Sequence, residues 1–545
     1  MRRTALAIAL PLLLIFIVLP LGLLFARSFS EGPSLYLAVL RSPMNRAALG
    51  NSLRVALGVA GVALLLGTPL GIALARLQLA GSRALGTLLV LPLAAPSYVW
   101  AMAWIALASP RAGWLNRLAG AQLFDIYGLP GIVFVEGLAL FPLVLLPTRA
   151  ALESADPSLE EAARIGGAGP LRAFLTGSFP LALPPAASGA LLAFLASLSS
   201  FGVPYLLGVA TERPALVATT RIYQALALGD AREVNSAIAL CLILLVFAAA
   251  AQLLASRVRR SGPQGSGKGR RIGRLAAPGL ARTASVLAWS IASLSVLLPV
   301  LAILLSALTR RYGEPPFPGN LTLGQFREVL GKREVREALL HSLSLALCAG
   351  LAVVALGALL AFLRRRTALG PLLLRLAEAP AAVPGSVLAL ALLFAFAQEV
   401  RLVAFGRVSL ILELSGTLWL LGIAYAIKYL AFGARSADDA LRALDPSLEE
   451  AARISGASAG QAFVSVALPL ARPALLAAFI LVFLPAATEL TMSALLAGPR
   501  AQVLGTVLFD LASYADPPSA AVLACIVLLL AAAADLSLRR LGRLA

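Results

Sequence analysis

Runs of about twenty apolar residues, each closed by a short polar stretch, recur from one end of this chain to the other. They mark twelve spans, at about 5–26, 50–75, 85–108, 130–151, 184–207 and 235–255, then at about 284–308, 339–363, 372–397, 416–434, 473–496 and 519–538. A helix needs about 20 residues to cross the hydrocarbon core of a bilayer, so each run is long enough. The runs are rich in Leu and Ala and do not alternate with polar residues, which favours helices over barrel strands. Prolines fall inside the third, fourth and ninth spans, where membrane helices tolerate them.

The polar stretches carry a second pattern. Asp156-Pro157-Ser158-Leu159-Glu160-Glu161-Ala162-Ala163-Arg164-Ile165 returns unchanged at Asp445–Ile454, 289 residues on. Asn51-Ser52-Leu53 answers His341-Ser342-Leu343, Pro92 and Pro96 answer Pro380 and Pro384, and Phe174, Pro180 and Pro184 answer Phe463, Pro469 and Pro473, all at nearly the same offset. The chain is therefore a duplication. Six spans per half is an even number, so both halves insert the same way round. The expected fold is an all-α membrane protein of two parallel six-helix repeats, related by a pseudo-two-fold along the membrane normal. The halves are 1–256 and 284–545, joined by a basic linker at 257–283 rich in Gly, Ser and Arg.

Composition agrees with an integral membrane protein. The chain of 545 residues is 60% hydrophobic and 13% charged, with a mean hydropathy of +0.90. Its formal net charge of +19 would raise nucleic acid as a partner in a soluble protein. Here the basic residues sit at span ends, so they are read as topology signals and no nucleic acid is expected. Arg2, Arg3, Arg76, Arg83, Arg149, Arg164, Arg172, the linker, Arg364–Arg366, Arg539, Arg540 and Arg543 fall on one side if both termini are cytoplasmic. The first span lacks a clear cleavage site and is read as retained. Cys241, Cys348 and Cys525 lie in apolar runs without metal-ligand spacing, and the single His341 cannot build a histidine cluster.

Both decapeptides fall in the loop between the fourth and fifth spans of their half. Asp156 or Asp445 can cap a short helix, Pro157 or Pro446 suits its first turn, and Gly167 or Gly456 can end it. Gly262–Gly269 nearly spells a phosphate loop, but Gly269 stands where a Ser or Thr must hold magnesium, so ATP hydrolysis by this chain is not expected. Ionisable residues within spans are candidates for function. Glu489 lies mid-span with Thr488 and Thr491, and Ser199 and Ser200 occupy the matching place in the first half. These five are the candidates for a translocation path, where a carboxylate would suit a cationic or metal-bearing solute. Glu136 and Lys428, in the fourth and tenth spans, are read first as structural ion-pairing residues and second as path lining. Arg54 and Glu378 are near span ends.

The decapeptide loops resemble the EAA motif of permease subunits of binding-protein-dependent ABC importers. That pattern is Glu-Ala-Ala, three residues, Gly, then nine residues to Ile-x-Leu-Pro. The first copy supplies Glu161, Ala162, Ala163, Gly167 and Pro180 but has Gly177 and Phe179 in place of Ile and Leu; the second supplies Glu450, Ala451, Ala452, Gly456, Val466, Leu468 and Pro469. The resemblance implies that Glu160, Glu161, Ala162, Ala163, Arg164 and Gly167, with Glu449, Glu450, Ala451, Ala452, Arg453 and Gly456, form coupling helices docked on two copies of a cytoplasmic ABC ATPase. It implies a periplasmic or extracellular solute-binding protein as a further partner and a bacterial inner-membrane location. ATP and Mg would be used by the ATPase, with no cofactor bound by this chain and no enzyme activity of its own. The fused layout, with Leu91–Val99 and Ser199–Pro204, is similar to the ferric-iron permeases; thiamine permeases share the layout. A secondary transporter driven by an ion gradient is the competing class, and it has no need of paired Glu-Ala-Ala loops.

Overall fold

A computed structural model describes residues 2–209, 214–261, 277–311, 314, 316–397, 400–404, 407–513 and 516–544. Eight helices in it are long and apolar enough to cross a membrane, or up to eleven if each of three bent helix pairs is one span. The remaining expected span, 416–434, falls in Leu418–Ala443, a 26-residue helix. Lys428 and Arg435 make it less apolar than the others. Most of the expected linker, with the phosphate-loop look-alike, lies outside the described residues; its ends belong to the helices Ala231–Ser261 and Pro278–Ala292.

The third and ninth spans are not the continuous helices the sequence suggested. Ser82–Leu93 and Ser97–Ala108 meet at 101°, and Gly370–Ala382 and Gly385–Ala395 at 112°. Each break ends on the second of two prolines four residues apart, Pro96 and Pro384, both extended with ψ 141°. Proline offers no N–H and pushes the residue before it out of the helical region, so the paired prolines break the span rather than kink it. The fifth and eleventh spans also end short, at Leu198 and Ala487, and reform as Gly202–Pro204 and Thr491–Leu496.

Four other prolines leave a gentler mark. Wide π-helical turns occur at Leu14–Val18, Phe174–Ser178, Ser293–Leu297 and Phe463–Ala467. Pro20, Pro180, Pro299 and Pro469 follow them, each second in the next helical stretch. The carbonyl four residues before each proline sits mid-turn, at Phe16, Thr176, Ser295 and Ser465. Widening the helix there gives the proline ring room; after Pro469 the chain nevertheless bends, Ala459–Leu470 and Arg472–Ala487 meeting at 70°.

Within each half a 34-residue helix, Pro43–Arg76 or Arg333–Arg366, forms the spine. The spines pack on Gly128–Glu153 and Phe179–Leu198, and on Leu418–Ala443 and Arg472–Ala487. Glycine makes the crossings possible. A Cβ on Gly67 would meet Phe141 O at 2.6 Å, and one on its repeat mate Gly357 would meet the Gly433 carbonyl at 2.6 Å. The halves interlock by exchanging their first helices. Leu19–Ser30 packs on Gly385–Ala395 of the second half, and Leu298–Leu308 on Ser97–Ala108 of the first. Arg27 covers the Phe394 ring at 4.6 Å on one side of this exchange, and Trp289 Nε1 donates to Ala80 O at 3.1 Å on the other.

Two contacts fix which helix ends share a face. Lys332 and Asp516, 3.9 Å apart, tie the starts of Arg333–Arg366 and Pro517–Leu544. Towards the other end of the latter helix, Arg539 donates to Thr87 Oγ1 at 2.9 Å, in the segment that follows Arg76. Arg76, Arg366 and Arg539 therefore lie at one face of the bundle, and both decapeptides lie beside them. The fold is nearly all helical, as expected for the class. It also holds one small antiparallel ladder, Val400–Ala404 with Arg407–Leu412, which the span pattern did not foresee.

Candidate functional site

The decapeptides form the helices Ser158–Ile165 and Pro446–Ile454. Asp156 Oδ1 accepts from Ser158 N and Asp445 Oδ1 from Ser447 N, each at 2.9 Å, which satisfies an otherwise open helix-start donor. These backbone bonds hold both aspartates below the usual carboxylate range. At the other end Gly167 and Gly456 adopt φ of +86° and +93°. Ala168 N bonds back to Ala163 O and Ala457 N to Ala452 O, each at 3.0 Å, closing the helices with a left-handed glycine cap.

The adjacent glutamates of each copy point in different directions. Glu160 is turned under its helix, where Arg76 Nη1 and Nη2 donate to Oε1 and Oε2 at 2.7 Å each. Ser178 also donates to Glu160, from the wide turn before Pro180. Burial alone would raise this carboxyl, but the bonds from Arg76 and Ser178 outweigh it and hold Glu160 below its ordinary range. Glu449 is likewise buried, held by Arg366 and by Arg365 Nη1 at 3.2 Å. Glu161, Ala162, Arg164, Glu450, Ala451 and Arg453 face outward. Ile165 and Ile454 stand 88% exposed at the helix tips. The sequence grouped Glu160 and Glu449 with the outward residues; the structure places them on the underside. It also brings in Arg76, Arg365 and Arg366, read before only as topology signals. Their part was hinted at by the repeat, since an arginine ends the spine helix in both halves, at Arg76 and Arg366.

The second site is a cavity of about 300 Å³ at the proline break of the third span. Ser199, Ser200, Thr488, Glu489 and Thr491 all line it, so one space gathers the five path candidates. Glu136 and Lys428 line it too, and they are not paired with each other. Lys428 Nζ donates to Glu489 Oε2 at 2.8 Å, Tyr429 OH donates to the same oxygen at 2.8 Å, and Met492 N donates to Oε1 at 3.1 Å. The Glu489 carboxylate is thus engaged on both oxygens. Ser197 donates to Glu136 Oε2, and Glu136 Oε1 has no hydrogen-bond partner.

The two halves meet around this cavity. Tyr98 OH donates to Thr488 O at 3.1 Å across the repeat boundary. Phe201, on the cavity wall, and Tyr205 pack on Phe509 of the second half, with ring centroids 5.7 and 4.5 Å apart. Arg54 bonds Asn51 at 3.1 Å, and Glu378 pairs with Arg435 at 3.2 Å; neither lines the cavity.

Residues 67–260 and 353–544 match the family model described as binding-protein-dependent transport system inner membrane component. The chain is 36% identical over 159 residues to the molybdenum transport system permease protein ModB of Escherichia coli (strain K12), covering 27% of this chain and 67% of that protein. It is 28% identical over 400 residues to the probable ABC transporter permease protein y4fN of Sinorhizobium fredii (strain NBRC 101917 / NGR234), covering 72% of this chain and 68% of that protein. It is 32% identical over 168 residues to the putative 2-aminoethylphosphonate transport system permease protein PhnU of Salmonella choleraesuis (strain SC-B67), covering 30% and 58%. Two matched stretches that together span more than half of the chain assign it to a family: it belongs to the inner membrane components of binding-protein-dependent transport systems.

Proposed function

We propose that this chain is the membrane subunit of an ATP-driven importer, with the decapeptide face and both termini in the cytoplasm. Two copies of a separate ABC ATPase grip the helices Ser158–Ile165 and Pro446–Ile454, and an extracytoplasmic binding protein delivers solute at the opposite face. ATP and Mg belong to the ATPase. The observation that carries this reading is the pair of identical helices on one face, each fastened to its half by an Arg–Glu contact, buried at Arg76–Glu160 and partly buried at Arg366–Glu449. A connector between spans has no reason to keep ten residues unchanged in two copies while the flanking spans diverge.

The fastening supplies a mechanism. Each helix offers an apolar tip, Ile165 or Ile454, beside the exposed charges of Glu161 and Arg164 or Glu450 and Arg453. A partner groove that moves the tip also moves Glu160 and, through two parallel bonds, the end of the spine Pro43–Arg76. That spine packs on Gly128–Glu153, the helix of Glu136 in the cavity wall. Motion at the cytoplasmic face thereby reaches the cavity through rigid elements, as alternating access requires.

Ferric iron is the cargo we propose, on the likeness of 91–99 and 199–204 to ferric-iron permeases. The oxyanion of molybdenum is the second reading, on the name of the Escherichia coli relative. The test is reconstitution into proteoliposomes with an ABC ATPase and a binding protein that co-purify with this chain. ATP-dependent uptake of labelled ferric iron is expected, and uptake of molybdate in its place would replace the cargo while keeping the machine. Uptake on a proton or sodium gradient with no ATPase present would overturn the reading.

A further inference from the structure

We propose that Glu136 is the carboxylate that meets the cargo, and that the cavity takes a solute through a cationic centre. Three charged side chains line the cavity, and two of them satisfy each other. Lys428 and Glu489 are joined at 2.8 Å, and Tyr429 and Met492 N complete the coordination of Glu489. Glu136 is different. It is 0% exposed, its Oε2 accepts from Ser197, and its Oε1 has no partner in hydrogen-bond geometry, with the Ser200 hydroxyl close to the carboxyl, while the residue borders the cavity. A buried acceptor without a partner is costly, and a carboxylate more so than a neutral group. A cationic centre in the cavity removes that cost.

The surroundings fit such a guest. Ser97, Ser199 and Ser200 line the same space, so hydroxyl oxygens stand with the carboxylate. Oxygen donors suit a hard metal ion or an ammonium group rather than a soft metal. Among the described residues no group of three His, Cys, Asp or Glu side chains could hold a metal ion. One carboxylate with hydroxyls grips lightly, which suits a guest that must leave again. The site is one-sided. At the repeat offset the counterpart of Glu136 is Tyr425, which is buried and bonded to Ser493 at 2.7 Å. The sequence pointed to Glu489 for this role, and Lys428 has taken its place there as the counter-charge.

Its use in transport rests on the permease reading, but binding to the chain does not. A cationic centre can come from a metal ion or from the amine of a small zwitterion, and the probes separate them. The full chain in nanodiscs is equilibrated with labelled ferric ion, with 2-aminoethylphosphonate, and with molybdate, which lacks a cationic centre. One of the first two binds the wild type. Glu136→Gln, which keeps the shape and the Ser197 contact, weakens it about tenfold or more, as loss of a charge-assisted contact implies. The exposed Glu314→Gln, outside the cavity, changes nothing. On the unaltered protein, a saturating cationic probe slows modification of Glu136 by dicyclohexylcarbodiimide, read by mass spectrometry. The proposal is overturned if neither cationic probe binds at millimolar concentration, if Glu136→Gln binds like wild type, if molybdate alone binds, or if a bound probe leaves the modification rate unchanged. Association with the ATPase is scored separately on the same preparation, so failure of either result is distinguishable from failure of the other.

Discussion

Arg76 holds Glu160 by two parallel bonds of 2.7 Å, joining the last residue of a 34-residue spine to the underside of a helix 84 residues further on. Arg76 itself is 2% exposed and also lies over the Phe174 ring at 5.5 Å. Planar guanidinium and carboxylate fix direction as well as distance, so the helix Ser158–Ile165 cannot turn without the spine.

Removing one member of this pair leaves the other buried and uncompensated, which costs about 3–5 kcal/mol where burial is complete and less at this partly open edge. Arg76→Ala is expected to loosen residues 156–170. Their backbone amides should exchange with deuterium faster than in wild type while those of 446–456 stay protected. The charge-reversed pair Arg76→Glu with Glu160→Arg should restore part of the protection. Equal protection in Arg76→Ala and wild type would remove this contact from the account.

The same pair sets a pH dependence. The Glu160 carboxyl titrates lower when folded than when unfolded, because Arg76 and Ser178 favour its charged form more than burial opposes it. Folding therefore expels a proton. The stabilisation is complete above the ordinary carboxylate range, near pH 4.3, and fades as pH falls through the lower folded value. Amide protection of 156–170 is expected to hold from neutrality to about pH 4 and to drop below it. Glu160→Gln should be less protected at neutrality and keep only the part of the acid step that the Asp156 cap supplies.

At Gly167 and Gly456 the left-handed backbone excludes a side chain at little cost only if the residue is glycine. Gly167→Ala or Gly456→Ala should destabilise its cap by about 1–2 kcal/mol. Open space surrounds both positions, so the cost is conformational and not steric. Gly67→Ala is the opposite case: its φ is helical, but the new methyl would strike Phe141 O and Val144. It should lower the thermal midpoint in detergent, whereas Gly61→Ala, with nothing within 4 Å, should not.

What was legible in the sequence followed from periodic signals. Apolar run length marked the eleven segments that stand as long apolar helices or bent pairs, and the 289-residue repeat pointed to the two halves and to the twin helices with their caps. The five path candidates converge on one cavity because polar residues in lipid-length runs have few other reasons to be kept. Contacts between distant segments were not legible. Run length cannot separate a kinked span from one broken by 101°, since both read as apolar. Nor can it show that Leu19–Ser30 crosses to the second half. Lys428 and Glu489 lie 61 residues apart, and only packing reveals that they neutralise each other and leave Glu136 facing the cavity. Glu160 and Glu161 are adjacent and both acidic, and helical rotation alone decides which one is buried.

The most direct measurement is cysteine accessibility and cross-linking at the helix tips. Ile165→Cys and Ile454→Cys are placed one at a time in a chain whose Cys241, Cys348 and Cys525 have been replaced, and expressed with the partner ATPase. A membrane-impermeant maleimide should label both from the cytoplasmic side only. A short bifunctional reagent should join each to the ATPase, and the yield should change when ATP is added. Labelling of either tip from outside the cell, or tips that never cross-link to the ATPase while ATP-driven uptake continues, would contradict the account.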